Sequence, residues 1–142
     1  LPLIIQEFVP IDYDIRVIVC EGQILGAMKR EVITGDGRSN VSLGAEASKI
    51  ELTAIEKSEA LRIAKAFGTR LSGIDLLPAD DREKEKPYCL EVNSNPGFRG
   101  IEKYVGGITT QFVNIFKDKT LWNQNNPELN TEEVIIQERW TL

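Results

Sequence analysis

The fourteen residues from Leu90 to Lys103, LEVNSNPGFRGIEK, constrain this chain more than any other stretch. They read as the end of a buried strand, a turn and the start of a helix. Glu91 and Asn93 are two residues apart, so on a strand they project from one face while Val92 points the other way, towards a core. Asn95-Pro96-Gly97 forces the turn, because proline fixes φ and glycine tolerates positive φ. A helix starting beyond Gly97 turns its free N–H groups to the side that carries Glu91 and Asn93. A carboxylate and an amide oxygen beside such a helix start suit hard cations and phosphate. The alternative is a strand end whose polar residues simply face water.

Around this stretch the chain alternates short elements. Leu3–Val9 reads as an apolar strand interrupted by Gln6 and Glu7, with a turn at Asp12-Tyr13. Ile15–Cys20 and Ile24–Met28 form a hairpin about Glu21-Gly22-Gln23. Asp14, Arg16, Ile18 and Cys20 then share a face opposite Ile15, Val17 and Val19. Lys29-Arg30-Glu31 closes the second strand with exposed charge, and Thr34–Asn40 (TGDGRSN) is a polar loop. A helix begins at Thr53, which has capping-box spacing to Glu56. It presents Ala60, Ile63, Ala64 and Phe67 to a core and stops at Gly68. Leu71–Leu77 is a strand with Gly73 and Asp75 on one face, and Pro78–Pro87 is a solvated, charged connection to the strand Tyr88–Asn93. A helix follows from about Ile101, broken at Gly106-Gly107, through Ile108, Phe112, Ile115 and Phe116. From Asp118 there is little periodicity before Val134-Ile135-Ile136. These elements make an α+β layer fold, an antiparallel or mixed sheet backed by helices, with residues 1–117 as the folded unit and 118–142 as a tail.

The 142 residues suit a single domain, and 42% apolar with 27% charged residues is the composition of a soluble globular protein. A net charge of −5 gives no reason to expect nucleic acid or an anionic membrane as a partner. No apolar run approaches a membrane span and no signal peptide is visible, so a cytoplasmic protein is expected. Cys20 and Cys89 lie in apolar runs and read as reduced core residues. Histidine is absent, which excludes histidine triads and imidazole zinc sites in this chain. The sequence opens on Leu1 with Met28 as its only methionine, so a piece of a longer chain is expected.

Asp75 and Glu91 each stand mid-strand between apolar residues, and a buried acid is costly unless something positive meets it. With the two strands adjacent, Asp75, Glu91 and Asn93 converge on one face. Three oxygen donors without sulfur or imidazole favour Mg²⁺ or Mn²⁺, with water and substrate phosphates completing the shell. The alternative is plain ion pairing of the acids with Arg16 or Arg38. Arg38, Ser39 and Asn40 follow a glycine-bearing loop and can reach a phosphoryl group, arginine by its planar donor fork; an ordinary exposed loop is the other reading.

Five runs, QEFV at Gln6–Val9, DIRVIV at Asp14–Val19, GRSN at Gly37–Asn40, GIDLL at Gly73–Leu77 and EVNSNPGFRGIEK at Glu91–Lys103, stand in the order seen in ATP-grasp ligases. The chain most resembles RimK-type α-L-glutamate ligases, from about Gln6 to Phe116. Gly37 departs from the family, whose members usually carry Phe there.

The resemblance implies the C-terminal subdomain of an ATP-grasp fold. Gln6, Glu7, Phe8 and Val9 would form the hinge strand at adenine, with Asp14 a further nucleotide-contacting acid. Arg38, Ser39 and Asn40 would meet the phosphates, Arg38 and Asn40 as the catalytic pair at the acyl phosphate. Asp75, Glu91 and Asn93 would hold two Mg²⁺ or Mn²⁺ ions, and Arg16 and Arg99 would contact substrate carboxylates. The implied partners are ATP, glutamate, a carboxylate acceptor (a protein C-terminus or a small molecule) and the N-terminal half of the same polypeptide. Nucleic acid and membrane are not implied, and a homo-oligomer is allowed. The implied reaction is ATP-dependent, ADP-forming addition of glutamate to a carboxyl group through an acyl phosphate, which this segment alone would not perform. The alternatives are an ATP-grasp ligase of the lysine-biosynthesis or cofactor-glutamylation type, or a nucleotide-binding module without catalysis.

Overall fold

The computed structural model describes residues 3, 5, 9–31 and 46–118. Its centre is β1 (Tyr13–Cys20), whose alternating Val and Ile residues fit a strand covered on both faces. It turns into β2 (Gln23–Glu31) through Glu21-Gly22, both at positive φ, 48° and 72°. Two such residues let a tight turn follow the twist of the hairpin. Glu21 tolerates this conformation while its amide donates to the Arg70 carbonyl (2.7 Å) and its carboxylate accepts from Arg70 Nε (2.6 Å). A three-residue strand, β3 (Ala47–Lys49), lines β2, and α1 (Ala54–Ala66) follows. After it come β4 (Leu71–Leu77), β5 (Tyr88–Asn93), α2 (Arg99–Tyr104) and α3 (Ile108–Lys117). The strands are ordered β3-β2-β1-β4-β5, and every neighbouring pair is antiparallel.

Each face of the sheet has its own core. Ile15, Val17, Val19, Ile74 and Leu76 pack under α1 against Leu52, Ala60, Ile63 and Ala64. On the opposite face Ile18, Cys20, Leu25 and Met28 pack under α2 and α3 against Ile101, Ile108 and Ile115. Complete burial of each Val, Leu, Ile or Met among these side chains stabilises by about 1.5–3 kcal/mol. Helix α1 starts as its sequence requires, with Thr53 Oγ1 accepting from the Glu56 amide and the Glu56 carboxylate accepting from the Thr53 amide. Gly106 and Gly107, at φ 74° and 73°, separate α2 from α3. Glu102 bridges the break, its carboxylate accepting from the Gly107 and Thr109 amides and the Thr109 hydroxyl. The Thr109 amide above all holds this carboxyl below its usual range.

Several expectations need correction. Of the expected strand Leu3–Val9, Leu3, Ile5 and Val9 join no strand among the described residues, and Leu3 and Ile5 are exposed; Ile4, Gln6, Glu7 and Phe8 lie outside the described residues. Phe67 is 67% exposed, because the helix has ended at Ala66 and the chain turns away at Gly68. Cys89 is exposed on the edge strand β5, whereas Cys20 is buried as expected. The connection Pro78–Pro87 is not merely solvated. Arg82 donates to both carboxylate oxygens of the buried Glu56 at 2.7 Å, and Lys86 Nζ lies 2.8 Å from the buried Glu59. Lys29-Arg30-Glu31 is not uniformly exposed either, since Arg30 retains only 5% exposure. Strand alternation turns Arg30 towards the face where its cross-strand partner Asp14 waits.

Candidate functional site

The face of β1 that carries Cys20 and Ile18 changes character along its length. Beyond Ile18 the next residues on that side are Arg16 and Asp14. The register sets Arg16 opposite Asp75 on β4, Asp75 opposite Glu91 on β5, and Gly73 opposite Asn93. One end of this face is therefore roofed by α2 and α3, and the other carries charge.

Four side chains form a ladder across the charged end. Arg16 donates from Nε to Asp75 Oδ1 (2.7 Å) and from Nη2 to Oδ2 (2.6 Å). Arg30 donates to Asp14 from Nε to Oδ1 (2.7 Å) and from Nη2 to Oδ2 (2.6 Å). The same Nη2 lies 2.8 Å from Asp75 Oδ2. Asp14 and Asp75 keep 1% and 3% exposure. Burial alone would raise the Asp75 carboxyl, but Arg16 and Arg30 together outweigh it and hold it below the usual carboxylate range. Arg30 likewise stays charged: burial works against it, and Asp14 and Asp75 more than offset that.

A bulge in β5 lies between the pairs Asp75–Glu91 and Leu76–Cys89. Bulges re-aim side chains next to sites, and this one leaves Glu91 exposed beside the buried Asp75. Asn93 Oδ1 accepts from the Asn95 amide (2.9 Å), which ties the strand end to its turn. Pro96 then packs on Gly73, where an added Cβ would lie 2.9 Å from Pro96 Cβ.

The structure thus brings Asp75, Glu91, Asn93 and Arg16 to one face. Among the described residues no three His, Cys, Asp or Glu side chains gather as a metal cluster; the candidate set is two carboxylates and an amide. Asp14 lies on the same face but buried, with both oxygens bonded to Arg30. Arg99 is exposed at the first position of α2, a helix of six residues. Val9 is half-buried outside any strand. Gln6, Glu7, Phe8, Arg38, Ser39 and Asn40 lie outside the described residues. Arg30 was not among the expected site residues: a Glu21-Gly22 turn alone sets Asp14 opposite Lys29, and only the register shift between Ile18 and Val19 brings Arg30 there. No helix among the described residues is long and apolar enough to cross a membrane.

An antiparallel sheet with one helix on one face, two on the other, and acids converging beside the second pair is the architecture of an ATP-grasp subdomain. The ATP-grasp ligase PsnB, solved in complex with a minimal precursor, superposes with a TM-score of 0.55 at 26% identity, covering 77% of this chain and 36% of that one. The chain belongs to the RimK-like ATP-grasp domain family, whose profile it matches over residues 2–115. It is 45% identical over 93 residues to a probable alpha-L-glutamate ligase 1 of Shewanella frigidimarina, covering 66% of this chain and 30% of the relative. It is 42% identical over 106 residues to a probable alpha-L-glutamate ligase of Picosynechococcus, covering 73% and 34%. The chain spans about a third of the length of these curated relatives.

Proposed function

We propose that this chain is the metal-bearing part of an ATP-dependent, ADP-forming carboxylate–amine ligase that adds glutamate to a carboxyl group. The observation that carries the proposal is the convergence of Asp75, Glu91 and Asn93 beside Arg16 in a chain of the RimK-like family. The names of its relatives support glutamate as the amino acid.

The donor set fits hard divalent cations in kind, being all oxygen and spread over two adjacent strands. Asp75 would supply a carboxylate oxygen, Glu91 an exposed carboxylate and Asn93 its amide oxygen. Bound Mg²⁺ or Mn²⁺ supplies charge neutralisation at the transferring phosphoryl group. This chain's own residues prepare for that. Asp75 is held ionised, and Arg16 lies across it with its side chain 19% exposed, able to turn from Asp75 towards an anionic substrate. Arg99, exposed at the start of α2, is a second contact for a substrate carboxylate. Arg38 and Asn40 are proposed at the phosphates and acyl phosphate, and Gln6–Val9 at adenine. Asp14 is buried against Arg30, so its part in nucleotide contact is indirect.

In the reaction an acceptor carboxylate oxygen attacks the γ-phosphorus and ADP leaves. The glutamate amine then attacks the acyl carbon, loses a proton, and phosphate departs as the amide forms. No protein nucleophile is required. The acceptor is proposed as the carboxylate of a protein C-terminus or of a small molecule.

The test uses the natural full-length polypeptide carrying this chain. Incubation with ATP, Mg²⁺ and each amino acid should release phosphate with glutamate, and acceptor mass should rise in glutamate steps. Glu91→Ala should abolish both. Turnover with a different amino acid only would replace glutamate; nucleotide binding without turnover under any amino acid would sink the ligase reading.

A further inference from the structure

Arg30 does more than neutralise a buried acid. It begins on β2, between β3 and β1, and its guanidinium reaches over β1 to Asp75 on β4, two strand spacings or roughly 10 Å away. Nε and Nη2 grip Asp14, and the same Nη2 lies 2.8 Å from Asp75 Oδ2 as an ion pair. Oδ2 therefore meets two arginines, Arg16 by a hydrogen bond and Arg30 by an ion pair, whereas Oδ1 meets only Arg16 among the described residues. A carboxylate oxygen has about two acceptor directions, so the remaining capacity of Asp75 is on Oδ1. Arg30 is almost fully enclosed and fixed at its far end by Asp14, while Arg16 is partly exposed. The two arginines differ accordingly: among the described residues Arg16 is open to solvent and holds Asp75 alone, whereas Arg30 is enclosed and held by a second carboxylate.

We propose that Arg30, anchored by Asp14 across β1, is a positioning residue for Asp75: it pins Oδ2, so that Oδ1 is the oxygen offered to a divalent cation beside Glu91 and Asn93. This rests on the cation reading above. By charge alone Arg30 would repel a cation, so removing it should tighten binding; positioning makes the opposite demand. Lysine keeps the charge but lacks the planar fork that holds two carboxylates in fixed directions.

Mn²⁺ binding to the full-length polypeptide, followed by the paramagnetic resonance signal of free Mn²⁺, separates these ideas. Arg30→Lys should weaken Mn²⁺ binding about 10–100-fold in the folded protein, the scale of lost support behind a metal ligand. The double variant Asp14→Asn/Arg30→Gln removes one charge of each sign, and it should weaken binding likewise; it carries the test if Arg30→Lys does not fold. Wild-type affinity in the folded Arg30→Lys protein, or tighter binding by the double variant, overturns the positioning role. Asp75→Asn separates the two readings. If it binds Mn²⁺ as the wild type does, or neither binds, the cation reading falls and this inference with it. Loss in Asp75→Asn with retention in both Arg30 variants leaves the cation reading standing and removes only the role of Arg30.

Discussion

Arg16 and Asp75 face each other across β1 and β4 and share two hydrogen bonds, of 2.7 and 2.6 Å, over 59 residues of sequence. Any cation that uses Asp75 must compete with that guanidinium. Arg16→Gln is therefore expected to tighten Mn²⁺ binding about fivefold, the worth of a partly exposed ion pair of ~1 kcal/mol. The same variant should lose turnover in the full-length enzyme. Mn²⁺ titration and phosphate release, measured on one preparation, check the opposite signs.

Gly73 lies where Pro96 closes on the sheet, and a methyl group there would meet the rigid ring at 2.9 Å. Gly73→Ala should cost about 1–3 kcal/mol by urea denaturation. It should also lower turnover, because Pro96 belongs to the turn that begins at Asn93. Gly26→Ala makes a useful contrast. Its methyl group would lie 2.6 Å from Cδ1 of Ile108, the free end of a flexible side chain remote from the charged end. That variant should lose stability with less loss of turnover per unit of stability.

Glu59 gives the molecule an acid-sensitive tether. Bonds from Arg62, then from Lys86, hold its carboxyl at about 2, against an ordinary 4.5. A carboxyl depressed on folding contributes its stability in full above 4.5 and loses it as the pH falls towards about 2. Unfolding free energy should decline across that window, and Glu59→Gln should flatten the decline. Equal slopes for both proteins in urea melts between those pH values would refute the tether.

The two thiols should differ sharply towards a disulfide reagent. Cys20 is fully buried, and burial pushes its thiol up to about 11, with Glu21 adding to the effect. Cys89 is exposed, though burial of its sulfur also raises its thiol somewhat. Native protein at pH near 8 should react at Cys89 alone, and more slowly than a free thiol. Denaturant should release Cys20. Mass spectrometry of the labelled peptides identifies each site.

Local signals accounted for much of the architecture. Thr53 and Glu56 announced α1 through a cap that depends only on neighbouring residues, and Glu21-Gly22 announced the hairpin. The two-residue spacing of Glu91 and Asn93 survived because the bulge in β5 lies before Glu91, not between them. What escaped depended on contacts distant in sequence. Arg30 looked like surface charge until β1 supplied Asp14, and the polar run Pro78–Pro87 looked solvated until α1 supplied Glu56 and Glu59. Phe67 matched the helical period but fell one residue past the helix. Cys89 sat in an apolar run that became a sheet edge, a distinction that strand order makes and periodicity does not.

Strand order also bears on how the site comes into being during folding. The Asp14–Arg30 pair lies within the β1–β2 hairpin, and the Asp75–Glu91 pair lies within the β4–β5 unit. On this face the first unit carries Arg16, Arg30 and Asp14, and is net positive; the second carries Asp75 and Glu91, and is net negative. The ladder is thus the seam between two locally closing units, and opposite charge draws their edges together across the long α1 connection. Docking in register completes the central sheet and sets Arg16 against Asp75, so the pairing of β1 with β4 and the closing of the charged ladder are the same contact.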